Sequence, residues 1–354
     1  MAARSAAVLL LLSVCGPLSL VSQRVEGLEL ERLGRYEEAV KAYRAELGAD
    51  RTAVAAWLGL ERVLGRMQRL ESLISLIDST LAEMPDYHFV REVQLRVWSS
   101  LGDDSRVAAA ARQWMEVAPE SASPYRQWAS AVANTGDTRR AIDILVEGRA
   151  RLGPVALAPE LARHYASNGN WTAAALEWVA AVTADNSHTL SAVAALRDTP
   201  ARTRDQVVGL LAGPTTDLAG HHLAAELLVV WDRPLEGWTL LDNSLPGDRV
   251  RAAAAISRFV ERTRRGGTPE GARARGYALE RLAGLAEGAD AEQALLEAAQ
   301  AFAEAGEFSG ARRTLDRLAQ SPAETPADAA AAMATLILVT IESGRLAEAE
   351  QRFE

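Results

Sequence analysis

The residues able to do chemistry are few and scattered. Five histidines occur, at His88, His164, His188, His221 and His222. None stands in an H-E-x-x-H arrangement, and His222 with Glu226 is the nearest approach to a ligand pair. Those two lie one helical turn apart, on one face. Two ligands do not make a metal site, so an ordinary helix-surface pair is the expectation and no metal is assigned. No G-x-S-x-G, P-loop or G-x-G-x-x-G occurs. Glu37-Glu38 and Glu348-x-Glu350 fall on regular helical stretches and read as solvated faces, so no acid–base pair stands out. Lys41 is the only lysine, which leaves no second lysine for a Schiff base or a phosphate loop. Catalytic residues and cofactors are therefore assigned as none, and the chain is read as non-enzymatic.

Charge narrows the partners. The net charge is -9 over 354 residues, against a general nucleic-acid binder. A basic zone nevertheless spans 249–281, with Arg249, Arg251, Arg258, Arg262, Arg264, Arg265, Arg273, Arg275 and Arg281. Only Asp248, Glu261, Glu270 and Glu280 oppose them nearby in sequence. Arg258, Arg262, Arg264 and Arg265 are the candidates for contact with an anionic surface, either lipid or an acidic partner, and a solvated helix face is the alternative. Eight tryptophans outnumber five phenylalanines. Trp57, Trp98, Trp114, Trp128, Trp171 and Trp178 sit at recurring packing positions, whereas Trp231 and Trp238 are less constrained and are candidates for exposure.

The first 22 residues read as an export signal. Arg4 is followed by the apolar runs Ala6–Leu12 and Val14–Val21, and Ser22, Gln23 and Arg24 end them. The expected cut follows Ser22, leaving a mature chain without a thiol, since Cys15 is the only cysteine. Leu12-Ser13-Val14-Cys15 also resembles a lipoprotein box. Val14 in place of a small residue and the apolar residues after Cys15 oppose that alternative.

The elements that position these residues recur. Gly34, Gln68, Gly102, Gly136 and Gly169 fall 34, 34, 34 and 33 residues apart. Each mark sits between two amphipathic stretches. Val90, Val93, Leu95, Val97 and Trp98 form one helical stripe before Gly102, and Val107, Ala111 and Trp114 form another after it. Pro119 ends that unit. Self-similarity at this spacing predicts stacked helical hairpins.

These units resemble tetratricopeptide repeats (TPRs), whose pattern is W-x2-L-G-x2-Y, then A-x3-F, then P. Trp57, Leu60, Leu64, Leu73, Ile77 and Pro85 carry the resemblance in the second unit. Tyr125, Trp128, Ala129, Val132, Gly136, Ala141 and Leu145 carry it in the fourth. Leu161, Ala162, Tyr165, Gly169, Trp171, Ala174, Trp178 and Ala181 carry it in the fifth. Gly34-Arg35-Tyr36-Glu37-Glu38-Ala39-Val40 with Tyr43 marks the first. Gly306, Phe308, Ala311, Leu315 and Pro322, then Gly344, Leu346, Ala349 and Phe353, bring the pattern back late in the chain. Glu61, Leu73 and Val107 depart from the family's small residues.

The resemblance implies an all-α, right-handed α-solenoid of stacked helix-turn-helix repeats. The expected organisation is a signal at 1–22, five repeats over 23–186, degenerate hairpins over 187–288, and repeats over 289–354 with the last one incomplete. Within 187–288, helices are expected near 190–197, 203–212, 216–231, 235–243, 249–265 and 269–286. The resemblance also implies that the first helix of each hairpin lines a concave groove. Arg62, Arg96 and Arg163 then share one register position, with Arg126 one turn before the equivalent Ser130. Arginine forks bind carboxylates, including peptide C-termini and acidic side chains. The alternative is that these arginines pair with acids of adjacent repeats, such as Glu92 and Glu160. The implied function is a protein- or peptide-binding scaffold in the periplasm or cell envelope. A membrane-associated assembly lipoprotein and a glycan-binding or enzymatic repeat protein are the alternatives.

Overall fold

The computed structural model describes residues 27–214, 216–319, 334–341 and 344. The residues read as a signal, as a lipoprotein box and, apart from Gly344, as the last repeat lie outside them. Among the described residues all regular secondary structure is helical. They form two compact units that divide after Ala156.

Unit one contains a helical stretch at 27–32 and seven helices: α1 (Tyr36–Ala49), α2 (Val54–Arg66), α3 (Ile74–Glu83), α4 (His88–Ser100), α5 (Asp104–Val117), α6 (Ser123–Asn134) and α7 (Thr138–Leu152). A short 3-10 turn, Leu70–Leu73, leads into α3. Unit two contains α8 (Ala158–Ser167), α9 (Trp171–Ala184), α10 (Thr189–Leu196), α11 (Ala201–Leu211), α12 (Leu218–Val230), α13 (Pro234–Asn243), α14 (Arg249–Gly266), α15 (Pro269–Ala283), α16 (Ala289–Glu304) and α17 (Phe308–Leu318). A further helical stretch covers 334–341.

The repeated marks are helix stops. Gly102 has φ 71°, its N–H bonds Ser99 O at 3.0 Å, and the Asp103 N–H reaches back to Trp98 O at 3.0 Å. This pair of bonds satisfies carbonyls that a helix end leaves open, and it needs a left-handed residue. The same long back-bond runs from Arg35 to Leu30, Arg69 to Leu64, Asn170 to Tyr165, Arg233 to Leu228 and Glu307 to Phe302. The next residue often starts the following helix. Asp103, Asp137 and Asn170 each accept a backbone N–H three residues on. Two residues thus stop one helix and cap the next.

Apolar stripes then lock the hairpins together. In unit one Tyr43, Leu47, Trp57, Leu60, Val63, Leu73, Ile77, Val90 and Val93 share one buried cluster. Close approach needs a glycine at Gly59, where a Cβ would lie 2.3 Å from the Tyr43 ring. In unit two Trp178, Leu196, Leu211, Leu223, Leu227 and Trp231 form one cluster, and Trp238, Ile256, Phe259 and Leu279 help form another.

Structure changes the expectation for both unassigned tryptophans. Trp231 and Trp238 are buried. The Trp231 indole N–H donates to Arg197 O at 2.8 Å, and Arg204 lies 5.2 Å over its ring. Trp238 packs against Phe259 with ring centroids 5.7 Å apart. Trp231 serves a hairpin, α10–α11, that has no left-handed turn. Its indole binds the carbonyl where α10 ends.

Candidate functional site

The four groove candidates divide between the units. Arg62, Arg96 and Arg126 lie on α2, α4 and α6 of unit one, and Arg163 lies exposed on α8 of unit two. Arg62 is engaged by the preceding hairpin. Its Nε and Nη2 donate to the two Glu31 carboxylate oxygens at 2.7 and 2.6 Å. Arg96 grips Glu61 in the same bidentate way, at 2.9 and 2.8 Å, with Glu92 at 3.9 Å. Arg126 has a partner too. Arg62 hydrogen bonds hold the Glu31 carboxyl below its ordinary range, against the opposing effect of burial. The forks of Arg62 and Arg96 are therefore filled by carboxylates of this chain, spaced about one repeat away.

The basic zone of 249–281 is sorted by α14. Arg249 pairs with Glu287, Arg273 with Glu307, Arg275 with Glu304 and Arg281 with Asp242. Arg264 turns toward α16, where it meets Glu297 at 2.9 Å, and it also meets Glu261 at 3.1 Å. Arg258, Arg262 and Arg265 lie together on another face, joined by Arg251. Spacings of seven, four and three residues keep these four on one side of a helix.

That side borders α12, against which α14 packs. Two clefts follow the seam. One, of about 250 Å³, is lined by Asn186, Asp217, Leu218 and Ala219 with Arg251, Ala254 and Arg258, the Asp217 carboxylate being taken up by the first N–H groups of α12. The other, of about 330 Å³, is lined by Val229, Val230 and Asp232 with Arg262 and Arg265. Arg251, Arg258 and Arg265 are exposed and make no ion pair with a described residue. Arg262 reaches the Glu226 carboxylate at 3.8 Å. At 1.5 Å per residue, Arg251 to Arg265 covers about 21 Å.

Beneath the seam lies the pair that the sequence placed on a helix surface. His222 is 1% exposed and Glu226 7%, with Nε2 3.2 Å from Oε1. The correction has a packing cause. α10, α11, α13 and α14 all contact α12, so α12 is enclosed on nearly every side. Among the described residues no group of three or more His, Cys, Asp or Glu side chains is arranged to hold a metal ion. Among them, too, no helix is long and apolar enough to cross a membrane.

Sequence reasoning misses two things. Arg251 is not among the four candidates within the basic zone, although its seven-residue spacing from Arg258 is readable. The left-handed residue at Asp232 (φ 62°) is hidden, because an aspartate does not announce a positive φ.

No protein-family model matches the chain, and no curated protein does. Solved structures resemble it. A thermophilic TPR protein from Thermus thermophilus is 19% identical over 50% of this chain and 98% of its own, with a TM-score of 0.33. A tetratricopeptide repeat protein from Parabacteroides merdae is 10% identical over 92% and 100%, with a TM-score of 0.28. The TPR domain of P58(IPK) is 13% identical over 95% and 91%, with a TM-score of 0.24. These superpositions are loose, and the assignment rests on the register and turn geometry of the chain itself. By those marks the described residues form an all-α array of helical hairpins whose register and turns resemble tetratricopeptide repeats.

Proposed function

We propose that this chain is a non-enzymatic scaffold of the bacterial cell envelope that seats an acidic segment of a protein partner along the α12–α14 seam. One observation supports the reading above the others. Arg251, Arg258 and Arg265 stand exposed beside two clefts with no acidic partner among the described residues, while other arginines of the zone are tied to acids. Preformed helix faces bind with little ordering cost. An extended segment of about six residues matches the 21 Å run of arginines. The export signal read at 1–22 supports the envelope location. The first-helix arginines of unit one, Arg62, Arg96 and Arg126, remain a second proposed contact surface, with Arg163 a separate candidate on unit two, and the filled forks of Arg62 and Arg96 make this reading the weaker of the two.

The test is a crosslinking capture from an envelope extract. The unmodified chain, an Arg251/Arg258/Arg265→Glu variant and an Arg62/Arg96/Arg163→Glu variant are compared, and captured partners are re-assayed with purified components. Exposed charge contacts contribute about 0.5–1 kcal/mol each. Triple reversal at the seam should therefore weaken binding on the order of 30-fold. Equal capture by the seam variant would refute the assignment. Binding only to anionic vesicles would reassign the seam to a membrane surface.

A further inference from the structure

A different cleft of unit two opens on the other side of α14. It encloses about 450 Å³ between the end of α14, the start of α15 and one face of α16. Arg264 and Arg275 line it from α14 and α15. Gln293, Glu297, Gln300 and Glu304 line it from α16, where spacings of four, three and four residues put all four on one helix face. The lining carries two positive and two negative groups, so it offers no net attraction to an ion of either sign. It offers a matched pair of sites to a molecule carrying both.

Arg275 is the informative residue. Its side chain is only 8% exposed, yet its acidic partner Glu304 is 62% exposed. The guanidinium has five N–H donors, and none of its nitrogens is both buried and unpaired, so those not bonded to Glu304 reach solvent. Arg275 spends one hydrogen bond on Glu304, leaving the rest of the fork without an acceptor among the described residues. Glu304 sits at the surface, where a side chain changes rotamer at small cost. Glu297 is bridged on both sides, by Arg264 at 2.9 Å and by the Gln293 amide at 2.8 Å. The exposed Gln300, which makes no hydrogen bond to a described residue, supplies an amide between the two carboxylates.

We infer that this cleft binds a small zwitterion, with a ligand carboxylate on the Arg275 fork and a ligand ammonium between Glu304 and Glu297. A free amino acid and a short peptide with free ends share that chemistry. A volume near 450 Å³ lies within the range of small-molecule sites and admits either. The site shares no arginine with the α12–α14 seam, so it stands or falls separately from the scaffold reading.

The experiment is titration calorimetry of the chain with L-alanine and L-alanyl-L-alanine, each also N-acetylated and C-amidated. Saturable binding of a free zwitterion is expected, and blocking either end should weaken it at least about tenfold, as one charge-assisted contact implies. Glu304→Gln and Gln300→Ala should weaken it without changing the circular dichroism spectrum, since both side chains lie at the surface. Arg275→Met should abolish it, checked against the same spectrum. Tighter binding of the amino acid or of the dipeptide assigns ligand length. Absence of saturable binding to about 10 mM, equal binding of the blocked forms, or unaltered binding by both surface variants would overturn the inference.

Discussion

Arg62 is the residue on which the sequence and the structure make competing demands. As a groove fork it should be dispensable to the fold, whereas as the partner of Glu31 it should not. Glu31 is 7% exposed and receives two guanidinium hydrogen bonds, with the Tyr43 hydroxyl at 3.3 Å. Arg62→Met removes both guanidinium bonds and strands the carboxylate. Breaking a buried pair costs about 3–5 kcal/mol. The Arg62 side chain is 44% exposed, so solvent screens part of this, and about 2–3 kcal/mol is expected. Glu31→Gln should cost less, because a neutral amide is cheaper to bury. The double variant should return about 1–2 kcal/mol of coupling.

The assay is native-state hydrogen exchange of α1 and α2 amides, since a repeat array need not unfold in one step. The pH dependence follows from the sign of the Glu31 shift. A carboxyl held below its ordinary value of 4.5 stabilises the fold above that value. Its contribution is lost as pH falls below about 4.5 and through the folded-state value. Arg62→Met should therefore be costly at pH 7 and nearly silent once Glu31 is protonated. A coupling below about 0.3 kcal/mol, or an equal cost at both pH extremes, would show that the bidentate pair does not hold the hairpins together.

Gln68 and Asp232 hold positive φ angles of 56° and 62°, so Gln68→Gly should raise stability by about 0.5–1 kcal/mol, read as a higher melting temperature. Gly59→Ala should lower stability by about 1–3 kcal/mol because its Cβ meets the Tyr43 ring, whereas Gly48→Ala, with nothing within 4 Å, should be neutral or stabilising in the same thermal scan. Trp231→Phe removes the bond to Arg197 O and should cost about 1–3 kcal/mol, measured as faster exchange of the α10 and α11 amides. Binding at the α12–α14 seam should weaken steeply with added salt, and a flat salt response would point to an apolar contact instead.

What the sequence determined by itself was local. Glycine at 34, 102, 136 and 169 marks the helix stops because a left-handed residue there is cheapest as glycine, and all four adopt positive φ. The apolar stripes read around Gly102 fall within α4 and α5. Between 187 and 288 the prolines and glycines punctuated the helices well enough to place α10 through α15.

The tertiary structure decided which polar groups remain for a partner. Glu31 meets Arg62, Glu61 meets Arg96 and Glu304 meets Arg275 across 29 to 35 residues, between different helical elements. The burial of His222 and Trp231 depends likewise on how many helices crowd one site. Helix periodicity tells which residues share a face, because that is set by bonds four residues apart. It is silent on which foreign carboxylate arrives opposite that face, because this depends on the stagger between hairpins. Arginines on regular helix faces therefore give a filled fork on α2 and an open row on α14.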